Sequence, residues 1–584
     1  MKEYRSSSQI LFGFLPEQTV DLKGMVWKVK EWVEPYGRSI EQESLRQELA
    51  RVAAPWDITG KDGKYVDNLR QGYTVRVLAL NKELGVKVEK FPRLWVCKTC
   101  DRLHQGNEPS RCSCNSTRFG QLPFVGYHDE CGGVRSPYIS SCPTHKQVKI
   151  ILPGTARAEE IRFVCPVCSK TLQKGFGFPK CDCGKGSWTF NVHRAASVYT
   201  PRTIVMINPP SLEKVAKVRE AGGAARALSW VLSGLSANSF DETGTTAESF
   251  KANLLKQGIP ESLADQMVDQ AIKSGAISNA EGGPINLQGQ YLTDAQAGAV
   301  SIALALSDSR LRTTDLANET EASSELGRKY RSAYPRASRV MGIEDIEFVD
   351  SFPVLTGCYG YTRGDSDPGA SRLVPFKNKK GDYVVYGEVI QTEALFVRLD
   401  PRRVAEWLVR NGWAISRWTD ARSARVSILR NALVPPPGSE TNPPTAGSRL
   451  LTLVHSYAHW FTRQLAVRAG IERSSLSEFL VPQHCSFFIY AATRGDFVLG
   501  GLQAVFETEL DSFLSELASL DLRCPLDPGC MRIAGACMAC LHLGEPSCRY
   551  YNGYLNRQTL VGPGGFLSVV AVNRRLEEGS AIST

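Results

Sequence analysis

The sequence predicts a multidomain α+β chain stapled by bound metal. Three observations carry that prediction: β-type runs alternate with helical periodicities along 584 residues, 17 cysteines fall largely in knuckle spacings, and a Pro/Gly-rich stretch sets off the last domain. At about 100–200 residues per domain, this length suits roughly three to five domains, each able to bury a core without disulfide staples. A composition of 42% hydrophobic, 22% charged and 9% aromatic residues, with 50 Gly and 31 Pro, excludes disorder, collagen and coiled coil as whole-chain descriptions. Met1 to Gln9 are polar, and no run approaches ~18 uninterrupted apolar residues, so neither export nor membrane spanning is expected and the chain reads as cytoplasmic. An odd number of cysteines in a reducing compartment then reads as metal ligands plus a few free thiols.

Residues 1–90 combine β-type runs at Ile10 to Leu15 and Tyr73 to Leu80 with an amphipathic stretch at Ile40 to Val52, an N-terminal α+β segment. Residues 91–200 hold ten of the 17 cysteines between short apolar runs, a tandem zinc-ribbon region that must rely on metal because it can build little core. Residues 201–345 turn mainly helical, with Leu254, Leu255, Ile259, Leu263, Met267, Val268, Ala271 and Ile272 at three- and four-residue steps. The acidic stretch Asn318 to Glu325 reads as a loop. In residues 346–434, an α/β segment, the turn Lys377-Asn-Lys-Lys-Gly-Asp382 feeds a strand at Tyr383 to Ile390, and an Arg/Trp-rich helix follows over Pro401 to Asn431. Residues 435–448 form a Pro/Gly linker, and residues 449–584 a C-terminal domain with a long helix, a strand at Ser486 to Ala492 and clustered cysteines.

The sharpest motif is a duplication. Cys97-x2-Cys100 precedes Cys112-x-Cys114, and Cys165-x2-Cys168 precedes Cys181-x-Cys183, with gaps of 11 and 12 residues. A C-x2-C turn aims two thiolates at one tetrahedron, and a second knuckle completes it, leaving no position for water and hence a structural site. A four-cysteine set also suits an iron–sulfur cluster. Between the two pairs, His128-x2-Cys131 and Cys142-x2-His145 form a mirror-ordered set, either a further metal site or buried thiols with surface imidazoles. Near the C-terminus the preferred ligands are Cys530, Cys537, Cys540 and Cys548, with Cys524 as a spare. The cofactor expected is Zn2+ at three sites, with a fourth open; Cys358 and Cys485 lie in apolar runs and read as buried hydrophobes.

Little argues for catalysis. His455-Ser-Tyr-Ala-His459 sets two imidazoles on one helical face in the manner of zincin proteases, but Ser456 stands where their general-base Glu belongs, and a packing role is the favoured reading. The GxxxxGK[ST] phosphate loop is absent, since Pro55 and Ile58 occupy the first-Gly positions before Gly60-Lys61 and Gly63-Lys64. Neither a GxSxG elbow nor a kinase motif set is present. Candidate nucleic-acid contacts are Lys377, Lys379 and Lys380 at their turn, and Arg402, Arg403, Arg410, Arg417, Arg422 and Arg425 interleaved with Trp407, Trp413 and Trp418. The competing view of the latter is an amphipathic helix with Trp on a core and Arg paired to acids.

The string Gly529-Cys530, Cys537-Met-Ala-Cys540-Leu541, Glu545-Pro-Ser-Cys548 and Asn552-Gly-Tyr-Leu555-Asn556-Arg557 resembles the zinc-binding domain of MrfA-type DNA repair helicases. Upstream, Leu453-Val-His455-Ser-Tyr-Ala-His459, Gly470-Ile-Glu-Arg-Ser-Ser-Leu476 and Gly500-Gly-Leu502 fit in order; Asn556 departs from the usual Asp. Phe91-Pro-Arg-Leu-Trp-Val-Cys97, Gly357-Cys-Tyr-Gly-Tyr-Thr-Arg363 and Gln391-Thr-Glu-Ala-Leu-Phe-Val-Arg-Leu-Asp400 resemble the DrmB family of DISARM anti-phage systems. This resemblance implies a non-catalytic bacterial defence subunit that binds a DrmA-type superfamily 2 helicase and helps it engage foreign unmodified DNA, single-stranded or at a junction. It implies no membrane and no small-molecule substrate. A free-standing nucleic-acid-binding zinc protein is the alternative, and a metal-dependent hydrolase or nuclease on His455 and His459 is a third reading. The formal charge of +9 permits nucleic acid. Loading three four-thiolate sites, each a change of −2, takes it to +3 and leaves the basic patches as the local argument.

Overall fold

The computed structural model describes residues 2–3, 13–154, 158–236, 251, 254–255, 258–273, 287–307, 309–365, 367–435, 443–492, 499–519, 522–532, 535–544, 548, 550 and 552–567. It is mixed α+β and divides into two compact units, each built from two stretches of chain: residues 1–211 with 355–390, and residues 212–354 with 391–584. No helix among the described residues is long and apolar enough to cross a membrane.

In the first unit, an antiparallel sheet runs in the order Lys2–Glu3, Val86–Lys90, Met25–Trp32, Thr19–Leu22. Val75–Ala79 alternates buried and outward residues, pairs antiparallel with Tyr36–Arg38 and runs parallel to the start of Tyr383–Leu399, Val75 opposite Tyr383. The expected amphipathic stretch is the helix Gln42–Ile58, which extends through Pro55 and buries Leu45, Leu49, Ala53 and Trp56 at three- and four-residue steps. Its first turn is capped by the Glu41 carboxylate, which accepts the N–H groups of Glu43 and Ser44 at 2.8 and 2.6 Å. Residues 10–12 of the expected run Ile10 to Leu15 lie outside the described residues.

The cysteine-rich stretch makes three small three-stranded sheets. Leu94–Cys97 is central to the first, between Leu103–Gln105 and Phe119–Gln121. Phe124–Tyr127 is central to the second, between Val134–Arg135 and Thr189–Val192. Arg162–Val164 is central to the third, between Lys149–Ile151 and Thr171–Lys174. Each is a hairpin with a third strand added to the hairpin's first strand. The whole third sheet lies in the chain between the hairpin and the third strand of the second. Their shared core is small, led by Leu94, Leu103, Leu122, Ile139, Ile150 and Phe163.

The second unit is organised by the helix Ala446–Arg468, which is buried almost all round, with the polar His455, Ser456, His459 and Thr462 enclosed along with its apolar residues. Thr445 and Ser448 cap it reciprocally; residues 436–442 of the expected linker lie outside the described residues. The helix packs against Leu476–Val481 and Ser486–Ala491, and the second of these strands pairs with residues 394–398. Where one Arg/Trp helix was expected over Pro401 to Asn431 there are two, Pro401–Arg410 and Ala421–Asn431, the first ending at Asn411 and the left-handed Gly412. Their core faces and the Ala446–Arg468 helix share one apolar cluster that includes Val404, Trp407, Leu408, Ile428, Tyr457 and Phe461.

Candidate metal centres

Among the described residues, five groups of four donors converge, the donor atoms of each lying within 4.8 Å of one another. Each of the 17 cysteines is a free thiol. The first group is Cys97, Cys100, Cys112 and Cys114, with Sγ–Sγ separations of 3.6 Å for Cys97–Cys114 and Cys100–Cys112. Cys97-x2-Cys100 forms the hairpin turn, and Cys112-x-Cys114 leads into the third strand.

The second expected tetrahedron does not form. Cys165 and Cys168 join Cys142 and His145, whereas Cys181 and Cys183 join His128 and Cys131. The physical reason is the nesting of the sheets: Cys165-x2-Cys168 turns one hairpin, and Cys181-x-Cys183 leads into the third strand of a different sheet whose hairpin turn is His128-x2-Cys131. Likewise His128, Cys131, Cys142 and His145 are not one site but half of two. Within the sets, His128 Nδ1 lies 3.2 Å from Cys131 Sγ and 3.6 Å from Cys183 Sγ, and Cys131 Sγ lies 3.7 Å from Cys181 Sγ. His145 Nδ1 lies 3.5 Å from both Cys142 Sγ and Cys165 Sγ.

The six knuckles of these three groups share one backbone device. In the x2 turns the N–H four residues past the first donor residue returns to its carbonyl: Asp101 to Cys97, Gly132 to His128, Lys146 to Cys142 and Ser169 to Cys165. The x1 turns close one residue sooner, Asn115 to Cys112 and Gly184 to Cys181. The residue making that bond is left-handed every time, with φ between 53° and 75°. Four of the six are not glycine, so a conformation that costs energy is held by its surroundings. The turn also aims backbone N–H groups inward: burial works against the Cys97 thiolate, but the N–H groups of Thr99 and Cys100 outweigh it and bring the thiol down to about 6.

Neighbouring residues brace these loops. Arg363, 1% exposed, donates to the carbonyls of Gly132 at 2.7 Å, Glu17 at 3.1 Å and Val198, and its guanidinium lies over the rings of Tyr199 and Tyr361. Gly132 follows Cys131 directly, and a Cβ there would sit 2.4 Å from Val374. The Gly357 to Arg363 motif therefore ends in a clamp on a donor loop.

In the C-terminal region the fourth group is Cys524, Cys530, Cys537 and Cys540; the expected spare is a member, and Cys548 lies elsewhere. Sγ–Sγ distances are 3.5 Å for Cys524–Cys537 and 3.7 Å for Cys530–Cys540 and Cys537–Cys540. Arg557, 3% exposed, makes two 2.7 Å bonds to the Asp527 carboxylate between Cys524 and Cys530. Asn552 pairs through its side chain with both backbone groups of Leu543, and Asn556 N–H donates to Ser456 Oγ at 2.9 Å. The Asn552 to Arg557 string is the frame around the cysteines.

The fifth group, not assembled as a set in the sequence, is His455, His459, Glu478 and Cys548, all buried. The paired imidazoles and Cys548 were singled out there separately; the member overlooked is Glu478, an acid inside the largely apolar strand Leu476–Val481. Cys358 and Cys485 are buried, as their apolar runs suggest, and burial pushes both thiols up to about 12.

The basic candidates divide by environment. Arg425 is 9% exposed and ion-paired with Glu344, inside a network in which Arg398 reaches Glu344 at 3.0 Å and Glu347 at 2.9 Å and Arg310 reaches Glu347 at 2.6 Å. It cannot meet a phosphate, and its place among the candidates is corrected by the acids that enclose it. Trp407 is buried with its indole N–H on the Gly564 carbonyl at 3.0 Å, and Trp413 and Trp418 pack on the core, so none of the three is a free stacking platform. Arg402 and Arg410 are exposed but paired with Asp400 and Glu406, Arg417 is exposed, and Arg403 and Arg422 are half-buried. Lys377, Lys379 and Lys380 are exposed on a turn closed by Asn378 and Asp382, Lys377 lying over the Tyr383 ring.

A family model described as a domain of unknown function (DUF8724) matches residues 6–203, the stretch that holds the three sheets and their donor groups. No curated protein matches the chain.

Proposed function

We propose that this chain is a zinc-stabilised, non-catalytic scaffold subunit that binds a DrmA-type helicase and helps it engage foreign DNA. The observation that carries the scaffold part is the completeness of the four thiolate-rich groups. Each offers four protein donors, so a bound Zn2+ has no position left for water or substrate, and its chemistry is that of a clamp. Donor spacings support zinc: with Zn–S near 2.3 Å, a tetrahedron has edges of about 3.8 Å, and the sulfur pairs here stand at 3.5–3.7 Å. In this reading the three hairpin-plus-strand sheets are zinc ribbons, one nested within another. The helicase and DNA parts rest on the resemblance of the Gly357 to Arg363, Gln391 to Asp400 and C-terminal strings to DrmB and MrfA-type proteins. In both regions those strings include residues that frame donor groups. The exposed Lys377 to Lys380 turn is the surface favoured for phosphate.

The test is reconstitution with a DrmA-type helicase. The two proteins are expected to co-elute at physiological salt, and addition of this chain is expected to raise the helicase's DNA-stimulated ATPase several-fold. Separate elution with unchanged DNA binding and ATPase would overturn the helicase assignment.

A further inference from the structure

We propose that His455, His459, Glu478 and Cys548 form a fifth metal site, closed to solvent and suited to one divalent ion of the zinc class. This inference is independent of the proposed function. The donors come from three separate places: two imidazoles from the helix Ala446–Arg468, a carboxylate from Leu476–Val481 and a thiol from the C-terminal segment. Their exposures are 0, 0, 1 and 5%.

Hydrogen bonding among the four does not by itself satisfy them. His459 Nδ1 lies 2.9 Å from the Leu541 carbonyl and donates to it, so only an imidazolium could also donate from Nε2 to Glu478 Oε1, 3.2 Å away. The other carboxylate oxygen, Glu478 Oε2, is buried without a hydrogen-bond partner among the described residues. His455 Nε2 faces the same Oε1 at 2.9 Å and Cys548 Sγ at 3.3 Å, where a single N–H could serve only one of them. Among the described residues, the ion-pair partners of the Glu478 carboxylate are these two imidazoles alone. One cation in the centre resolves all of these conflicts.

The size and charge of the set fit such an ion. Bond lengths of about 2.0–2.3 Å to N, O and S give tetrahedral edges of about 3.3–3.8 Å, and the donor separations of 2.9–3.3 Å lie slightly inside them. A carboxylate, a thiolate and a dication sum to zero, the charge that an interior without water favours. The His459 Nδ1–H to carbonyl bond is the usual outer support of a metal-bound imidazole. Leu541 also follows Cys540 of the fourth group directly, and Arg463, on the same helix, donates to the His542 carbonyl at 2.8 Å and the Ala539 carbonyl at 3.1 Å. The ion would therefore fasten the cysteine-rich segment to the long helix and the strand beside it. Four protein donors and full burial leave no water position, so the site is structural rather than hydrolytic.

The experiment is metal counting on the full chain by inductively coupled plasma mass spectrometry, together with 113Cd NMR after exchange. The wild-type chain should hold five ions and show one cadmium resonance far upfield of four thiolate-dominated ones. Cys548→Ala and Glu478→Gln should each lose that resonance and one equivalent while keeping the other four, and Cys548→His should restore the equivalent. A wild-type chain with no upfield resonance, or with a metal content unchanged by Cys548→Ala, would show a hydrogen-bonded cluster without metal and overturn the site. Where a variant fails to fold, the wild-type cadmium spectrum decides. Loss of thiolate-dominated resonances with the upfield one intact would count against the proposed zinc scaffold and leave this site standing.

Discussion

Arg425 and Arg402 lie on successive helices and carry the same guanidinium into opposite surroundings. The Arg425 side chain is 9% exposed against Glu344, and that of Arg402 is 59% exposed against Asp400. The buried network pairs Arg310, Arg398 and Arg425 with Glu344, Asp345 and Glu347, so its charges balance only while every member is present. Glu347→Gln removes the carboxylate that faces both Arg310 and Arg398 and should cost about 3–5 kcal/mol, because it strands buried cations. Arg402→Ala should cost no more than about 1 kcal/mol, as for an exposed pair. Denaturant midpoints of the metal-loaded chain read both, and equal effects would remove the distinction. The Arg/Trp alternation was legible in the sequence but its solvation was not, since the acids that enclose Arg425 lie about 80 positions away in the chain. Glu478 was hidden for a similar reason, being a single acid whose meaning depends on a helix face contributed elsewhere.

At the scale of elements, short spacings determine how a turn is built and leave open which turn it meets. C-x2-C and C-x-C were legible as knuckles because the backbone bond and the left-handed residue that close them are local. The partners were not legible: 12 residues separate Cys168 from Cys181, as 11 separate Cys100 from Cys112, yet only the latter pairs share a group. Chain order in the nested sheets brings Cys181 to His128 across 53 positions, and no local periodicity records that. The helix Gln42–Ile58 and the strand Val75–Ala79 were readable for the converse reason, since their buried residues recur at the period of the element itself. Nesting makes a sharp prediction. Cys165→Ser and Cys181→Ser should each lower metal content by one equivalent, and the double variant by two, because they strike different sites. A double variant that loses one equivalent would return all four thiols to a single site.

At the scale of the whole molecule, correcting the ligand sets leaves the charge argument almost where the sequence placed it. Loaded with divalent ions, two four-thiolate sites would change the formal charge by −2 each and two sites with three thiolates and one imidazole by −1 each, so +9 would again become +3. The proposed fifth ion, with one thiolate newly formed, would bring it to +4. Such a chain has no general field with which to hold nucleic acid, and any grip on DNA must come from local patches. With Arg425 withdrawn into the core, and Arg402 and Arg410 already paired, the exposed Lys379 and Lys380 turn is the patch that remains least committed. Lys377 has a second role over the Tyr383 ring, so Lys379 and Lys380 are the cleaner pair to change. On single-stranded DNA each phosphate contact contributes about 0.7 to the slope of log K against log salt. The double variant Lys379→Ala, Lys380→Ala should therefore flatten that slope by about 1.4 if both lysines meet phosphate. The measurement is a salt titration of the chain bound to the proposed helicase partner, with Glu347→Gln excluded because it perturbs the core. An unchanged slope would take this turn out of the DNA path and move the contacts to the partner.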